Sequence, residues 1–322
     1  MQPKISVLIP VYNAQKYIKS CVDMLSKQTF SDIEIICLND GSTDNSAEIL
    51  QQFATQEKRL KIITQQNAGV AVARNRLIQE AKGTYIAFVD ADDLVLPDYL
   101  EKLYTAAEKG NADIAKCFFQ EIDDNGVCSA AHCSSRFYTQ PGDTLQARFS
   151  AGYHDAVVWG KLLRRQFLLE NNLQFRPRHV AEDLPFIVQT FMSAKHIVYV
   201  PEALYLYRKG VSGAITANSE KMAVDLLSNL AELGPQLRAR KWWNAPVAHL
   251  WLKSVVWSIA RFHKFSPEFR REHRPLLTAA WKAAKQEVPS CSALSQLRWR
   301  VLFGLVKIGG PDSMIFWSRC FR

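Results

Sequence analysis

No run of this 322-residue chain approaches the roughly 18 to 20 apolar residues that a bilayer-spanning helix needs. A helical transporter or channel is excluded on that count. A Gly-x-Gly-x-x-Gly fingerprint is absent, which argues against a dinucleotide oxidoreductase. The segment PVYNAQKYI, which follows the first apolar run, contains no glycine and so lacks the loop with which nucleotidyltransferases receive a triphosphate. The seven cysteines are odd in number and scattered, with no Cys-x-x-Cys pair and no His-rich neighbourhood, which speaks against a zinc site. A reduced, cytosolic setting is expected. ISVLIPVY begins after only four residues with one Lys before it and no small-residue cleavage site, so a first strand is predicted there and not a signal peptide. Internal repeats and low-complexity segments are missing too.

Acid is also missing, but only at one end. From Gln236 onward there are 16 Lys and Arg against 4 Asp and Glu, a net +12, while the residues before it carry −3 of the overall +9. Seven of the eight tryptophans (Trp242, Trp243, Trp251, Trp257, Trp281, Trp299 and Trp317) lie in that basic stretch. This shift marks a domain boundary. The composition as a whole, 48% hydrophobic and 11% aromatic, is that of a globular chain.

What is present first is alternation. ISVLIPVY, IEIICL, LKIIT and YIAFVDADD read as buried strands, separated by helical patterns, the first with Tyr17, Ile18, Cys21, Val22 and Leu25 on one face. Four strands alternating with three helices predict an α/β, doubly wound parallel sheet, whose ligands bind at the carboxyl ends of the strands. Those ends carry Pro10-Val-Tyr12, Asn39-Asp40-Gly41-Ser42 and Asp90-Ala-Asp92. A less regular stretch follows, with DIAKCFF, AVVWGKLL and HIVYV. After Ser219 the pattern is helical. The domain expectation is residues 1–112, 113–218 and 219–322.

FVDADD places three carboxylates within four residues, where they repel one another unless something relieves them. Asp90 and Asp92 project to one side of an extended chain, so a divalent cation that also holds phosphate is one solution. Capping of the helix in LPDYLEKLYTAAE by Asp92 or Asp93 is the other. In LNDGSTDNS, Asp40 suits a ligand N–H, while Ser42 or Thr43 suits an N-cap. Arg74 in QNAGVAVARNRLIQEAKG is placed to reach phosphate, or to solvate a helix face.

SVLIPVYN, LNDGSTDNS, NAGVAVARN and FVDADD, in this order and near these spacings, resemble the inverting family 2 glycosyltransferases of the GT-A fold. The similarity covers residues 4–216. It implies a Rossmann-like, mixed, mainly parallel sheet flanked by helices and binding a sugar nucleotide, most often UDP-linked. Pro10 and Tyr12 would lie at the base, Asp40 on its imide, Arg74 near the diphosphate, Asp90 at the ribose and Asp92 on Mn²⁺ or Mg²⁺. AVVWGKLLRRQFLLENNLQF, HVAEDLPFIVQTF and ALYLYRKGVSG resemble the acceptor half of bacterial members, and the resemblance makes Asp183 the base that takes the acceptor proton. An acid at the start of a helix, two residues before Pro185, would also be an ordinary first-turn residue. Trp159 could line a sugar pocket and Lys161 the phosphate side, although a core Trp and a surface Lys are the commoner fates. The chain departs from many relatives at Ala181, where they have Gly, and at Asn39, where they have an acid. A protein that binds a sugar nucleotide without turning it over is the rival.

The basic end lies beyond the resemblance. Lys and Arg interleaved with Trp suit an anionic membrane surface, core packing of the rings, or, last in rank, nucleic acid. In SALSQLRWRVLFGLVKIGG, Leu294, Leu297, Val301, Leu305 and Ile308 form a helical face opposite Arg300 and Lys307, interrupted by Arg298. A glycan or glycolipid acceptor, as in lipopolysaccharide or surface polysaccharide synthesis, and a peripheral place on the cytoplasmic face of the inner membrane are expected. No nucleic-acid partner is expected.

Overall fold

The computed structural model describes residues 2–124, 127–128, 144–176, 181–210, 219–292, 296–297 and 299–303. The chain forms two compact units, each gathered from several segments. The first comprises Met1–Pro141, His154–His179 and Ser193–Ala214, and the second Gly142–Tyr153, Val180–Met192 and Ile215–Arg322.

The first unit is built on one eight-stranded sheet. Its amino-terminal strands are β1 (Ile5–Val11), β2 (Ile33–Asp40), β3 (Leu60–Gln65) and β4 (Tyr85–Phe88), parallel in the order β3-β2-β1-β4. Near-continuous Ile, Val and Leu make β1 and β2 buried on both faces, as parallel strands covered by helices are. The connections are α1 (Ile18–Ser26), α2 (Ser46–Ala54) and α3 (Val70–Glu80). α1 buries Ile18, Cys21, Val22 and Leu25, the one-sided spacing expected of a helix against a sheet. Registers Pro10↔Leu38 and Leu8↔Phe88 bring the carboxyl ends of β1, β2 and β4 out on one edge.

The same sheet continues through β5 (Leu94–Val95), β6 (Ile114–Ile122), β7 (Lys161–Arg164) and β8 (Ile197–Arg208), in the full order β3-β2-β1-β4-β7-β6-β8-β5. β7 runs antiparallel to both neighbours, and β5 is antiparallel to β8. The expected mixed, mainly parallel GT-A sheet is thus present. α4 (Tyr99–Lys109) and α6 (Arg165–Glu170) complete the unit, α4 burying Tyr99, Leu100, Leu103 and Ala107.

The second unit is helical. It contains α5 (Leu145–His154) up to its last residue, most of α7 (Asp183–Ser193), and then α8 (Ser219–Ala239), α9 (Ala245–Arg261), α10 (Pro267–Glu272) and α11 (Arg274–Gln286). Asn244 caps α9, its side chain accepting from the Val247 N–H at 3.0 Å. Gly234 lets α8 lie against the Trp251 ring, where a Cβ would meet it at 3.1 Å, and the Trp251 indole N–H donates to the Leu230 carbonyl at 2.8 Å. Trp251, Trp281 and Trp299 are core residues. Elsewhere Arg lies over Trp, as Arg238 does over Trp243 (4.3 Å) and Arg261 over Trp257 (4.7 Å). Much of the Trp-rich, Arg-rich composition is therefore internal packing. The amphipathic segment is described only in part; Leu294, Arg298, Leu305, Lys307, Ile308 and Trp317 lie outside the described residues. Within it Trp299, Leu302 and Phe303 are buried, while Leu297 and Val301 are exposed, at 63% and 49%.

Candidate active site

The polar loops at the carboxyl edge of the sheet are stitched to one another. After β1, Asn13 adopts a left-handed φ of 49°, its carbonyl side-chain oxygen accepts from the Thr43 N–H at 2.8 Å, and its own N–H donates to Ser42. Ser46 accepts from the Ala14 N–H at 2.8 Å, so Ser46 opens α2 and holds the first loop at once. Asn39 accepts from the Ser42 N–H at 2.9 Å, a turn that an acid at this position could also make. Pro10 ends this edge half-buried, and Tyr12 stands out at 52% exposure.

Asp40 is buried at the end of β2 and receives three hydrogen bonds, from Gln65 Nε2 (2.7 Å) and the Ala68 and Gly69 N–H groups (both 2.9 Å). It thereby orders the loop that leads into α3. Gly41 is required beside it, because its φ is +71° and a Cβ would meet the Asn67 nitrogen at 2.7 Å. Two of the three bonds reach Oδ1, which leaves acceptor capacity on Oδ2.

The three carboxylates of FVDADD have three fates, and none caps α4. That helix begins at Tyr99 with Asp98 at its N-cap position, five residues beyond Asp93. Residues 90 to 93 instead form a turn closed by the Asp93 N–H on the Asp90 carbonyl at 3.1 Å. Asp90 pairs with Arg74 at 2.9 Å, Arg74 being 5% exposed and its guanidinium lying over the Phe175 ring. Arg74 is therefore a buried partner of Asp90 and no solvated helix residue. Asp93, 1% exposed, accepts from the Tyr205 hydroxyl (2.7 Å) and the Arg208 N–H (2.8 Å). Burial, with Asp90 and Asp92 adding repulsion, pushes Asp93 well above the usual carboxylate range. Asp92 differs from both. Half-buried, it has no side-chain partner among the described residues, and burial together with the Asp90 charge pushes it up to about 6.

That donor set suits a hard cation, which would relieve the Asp90–Asp92 repulsion that the protein leaves standing. Among the described residues no group of three or more His, Cys, Asp and Glu could enclose an ion. An ion at Asp92 would complete its shell with ligand and water oxygens, as Mg²⁺ does on nucleotide phosphates.

Asp183 lies in the second unit, in the first turn of α7, where its charge favours the helix dipole. Ala181, two residues before it, has φ +56°, a left-handed conformation natural to Gly and strained for Ala. The Asn229 side-chain amide donates to the Ala181 carbonyl at 2.6 Å and pins this strained entry to the helix.

Two other expected residues are core elements. Trp159 is 7% exposed and stacks on Tyr205 (4.5 Å) and Tyr207 (5.3 Å). Lys161 is 1% exposed and not on a surface; its Nζ pairs with Asp155 at 3.0 Å and donates to the Val157 carbonyl at 2.7 Å. Tyr205 and Arg208 lie in ALYLYRKGVSG, whose strand pattern and resemblance to an acceptor half do not reveal that β8 reaches FVDADD.

Residues 6–170 match the profile of Glycosyl transferase family 2. The chain belongs to that family. EpsJ of Bacillus subtilis (strain 168), an uncharacterized glycosyltransferase, is a relative 36% identical over 232 residues, covering 70% of this chain and 66% of EpsJ. The chain spans 61% to 66% of the length of this and two further bacterial relatives. Among solved structures, the crystal structure of S. aureus TarS 1–349 in complex with UDP-GlcNAc has a TM-score of 0.71 at 19% identity, covering 99% of this chain and 91% of that one. The mannosyltransferase PcManGT from Pyrobaculum calidifontis, in complex with GDP-Man and Mn²⁺, has a TM-score of 0.55 at 16% identity, covering 99% and 85%. At such identities the likeness is one of fold, and it is the fold of the family 2 chain described above.

The Asp92 environment makes a stability prediction. With its folded pKa raised to about 6 from the ordinary 3.8, ionised Asp92 penalises the metal-free fold fully above pH 6, and the penalty disappears as pH falls toward 4. Asp92→Asn is expected to raise the melting temperature of metal-free protein by about 2 to 4 °C at pH 8. The difference should shrink at pH 5, as read by thermal denaturation in EDTA.

Proposed function

We propose that this family 2 chain is an inverting, metal-dependent glycosyltransferase. It would move a sugar, a hexose or N-acetylhexosamine carried on UDP, to a hydroxyl of a glycan or glycolipid acceptor in bacterial surface polysaccharide or lipopolysaccharide synthesis. The observation that carries the reading is Asp92, a desolvated carboxylate beside a second one, without a side-chain hydrogen-bond or ion-pair partner among the described residues, at the ligand-binding edge of the sheet. The UDP-GlcNAc held by TarS and the Mn²⁺ held by PcManGT support the donor and metal assignments.

In this reading the exposed Tyr12 and Pro10 receive the base, and the remaining acceptor capacity of Asp40 takes the imide N–H. Asp90, fixed by Arg74, meets the ribose, and the Arg74 guanidinium adds positive charge near the diphosphate. Mn²⁺ or Mg²⁺ on Asp92 would supply Lewis-acid stabilisation of the charge that develops on the departing nucleotide. Asp183 takes the acceptor hydroxyl proton as the oxygen bonds to the anomeric carbon and the bond to the diphosphate breaks.

Calorimetric titration with UDP tests the donor half without knowledge of the acceptor. Binding is expected to strengthen at least tenfold with Mn²⁺, and Asp92→Ala should abolish that gain; binding indifferent to both metal and variant overturns the reading. For Asp183→Asn the expectation is a different split. UDP affinity stays at the wild-type value while turnover with a glycan acceptor falls about 10²-fold or more, and full turnover in that variant refutes the assignment.

A second reading concerns the helical unit, for which we infer contact with an anionic membrane surface on the cytoplasmic side. No helix among the described residues is long and apolar enough to cross a membrane. The support is the exposure of Leu297, Val301 and Trp257 in a region of net positive charge, with exposed Arg300 between the first two. Flotation with anionic liposomes should carry the wild type upward and leave Leu297→Glu/Val301→Glu behind. Equal partitioning of the two proteins removes this reading.

A further inference from the structure

The turn that carries Asp90 and Asp92 is braced from a strand more than a hundred residues away. β8 runs antiparallel to the short β5 that follows the turn, with Val95 opposite Tyr205. From β8 the Tyr205 hydroxyl accepts from the Asp90 N–H at 3.2 Å and donates to the Asp93 carboxylate at 2.7 Å. The Arg208 N–H donates to the other oxygen of Asp93 at 2.8 Å, and its Nε donates to the Asp92 carbonyl at 2.9 Å. The turn's first N–H and third carbonyl, which its own closing bond leaves unused, are both taken by β8. Tyr205 cannot move independently, because its ring is fully buried, stacked on Trp159 at 4.5 Å and edge-on to Tyr99 at 6.1 Å.

Carboxylates two residues apart repel one another, and here one buried hydroxyl is bonded to both ends of the turn that carries them.

We propose that Tyr205 is a positioning residue, which through its hydroxyl on the Asp90 N–H and the Asp93 carboxylate holds the turn between them so that Asp92 stands where a divalent cation on a diphosphate requires it. The inference rests on the metal-dependent donor site proposed above. The Asp90 side chain keeps its Arg74 pair without the hydroxyl, and Tyr205 is itself fully buried, so its effect should fall on the metal-dependent part of donor binding alone.

The test compares wild type, Tyr205→Phe, Asp93→Asn and Asp92→Ala, using UDP as the probe, titrated by calorimetry in EDTA and at increasing Mn²⁺. Tyr205→Phe keeps the stacked ring and removes one oxygen. Its UDP affinity in EDTA is expected to equal that of wild type, while the Mn²⁺ concentration giving half-maximal enhancement rises about tenfold. Asp93→Asn, which keeps the shape of the side chain, should show the same selective loss and serves if Tyr205→Phe does not fold. A variant that loses affinity equally with and without Mn²⁺, or only melts earlier while binding Mn²⁺ and UDP as wild type does, overturns the positioning role. If Asp92→Ala retains the full Mn²⁺ enhancement, the donor site itself is misassigned and the inference falls with it. If Asp92→Ala loses it and Tyr205→Phe does not, the inference alone fails.

Discussion

Like-charge repulsion inside a four-residue turn is the constraint around which the first unit is arranged. Asp90, Asp92 and Asp93 follow a fully buried strand with no room to separate, and each neighbouring element answers one of them. α3 supplies Arg74 to Asp90, β8 supplies Tyr205 and an N–H to Asp93, and Asp92 is left with a backbone clamp and the Arg208 charge, which do not offset its burial and the Asp90 charge. A buried acid paired or hydrogen-bonded on every side is structure. A half-buried one held in place without an ion-pair partner among the described residues is a candidate site. The position of β8 in the sheet follows the same logic, since only a strand beside β5 can present Tyr205 and Arg208 to the turn.

The loops around that turn show how a site is built from ordinary capping chemistry. Ser46, Asn39 and Asn13 each satisfy backbone groups that a loop would otherwise expose, and Ser46 and Asn13 in doing so fix the loops after β1 and β2 to one another. Asp40 does the same for the entry to α3. Preorganisation at this edge therefore belongs to the fold before any ligand arrives. In the helical unit the comparable device is Asn229, holding the left-handed Ala181 just before Asp183.

The tryptophans of the basic end divide by environment. Trp251, Trp281 and Trp299 are core, and Trp243 and Trp257 carry Arg on their faces, a contact in which a guanidinium stacks with little loss of hydration. Composition alone could not distinguish that arrangement from a membrane-facing belt, since both uses need an amphipathic ring beside a cation. The exposed Leu297 and Val301 lie on a different side of their helical segment from the buried Trp299, Leu302 and Phe303.

Much was legible in the sequence itself. Period-two and apolar runs alternating with helical faces determined the parallel β3-β2-β1-β4 half, because both periodicities are local properties of the chain. The four motifs determined the family and put Pro10, Tyr12, Asp40, Asp90 and Asp92 at strand ends, since a doubly wound sheet exposes those ends together. Tertiary structure alone decided the rest. Whether Asp93 caps a helix or bonds Tyr205 depends on a pairing 112 residues apart, and Lys161 sinks into the core only because Asp155 and a carbonyl wait for it there. The gathering of Gly142–Tyr153 and Val180–Met192 with the C-terminal helices was equally invisible. Long-range contacts of this kind are chosen by packing and by the need to pair buried polar groups, and neither leaves a periodic trace in the chain.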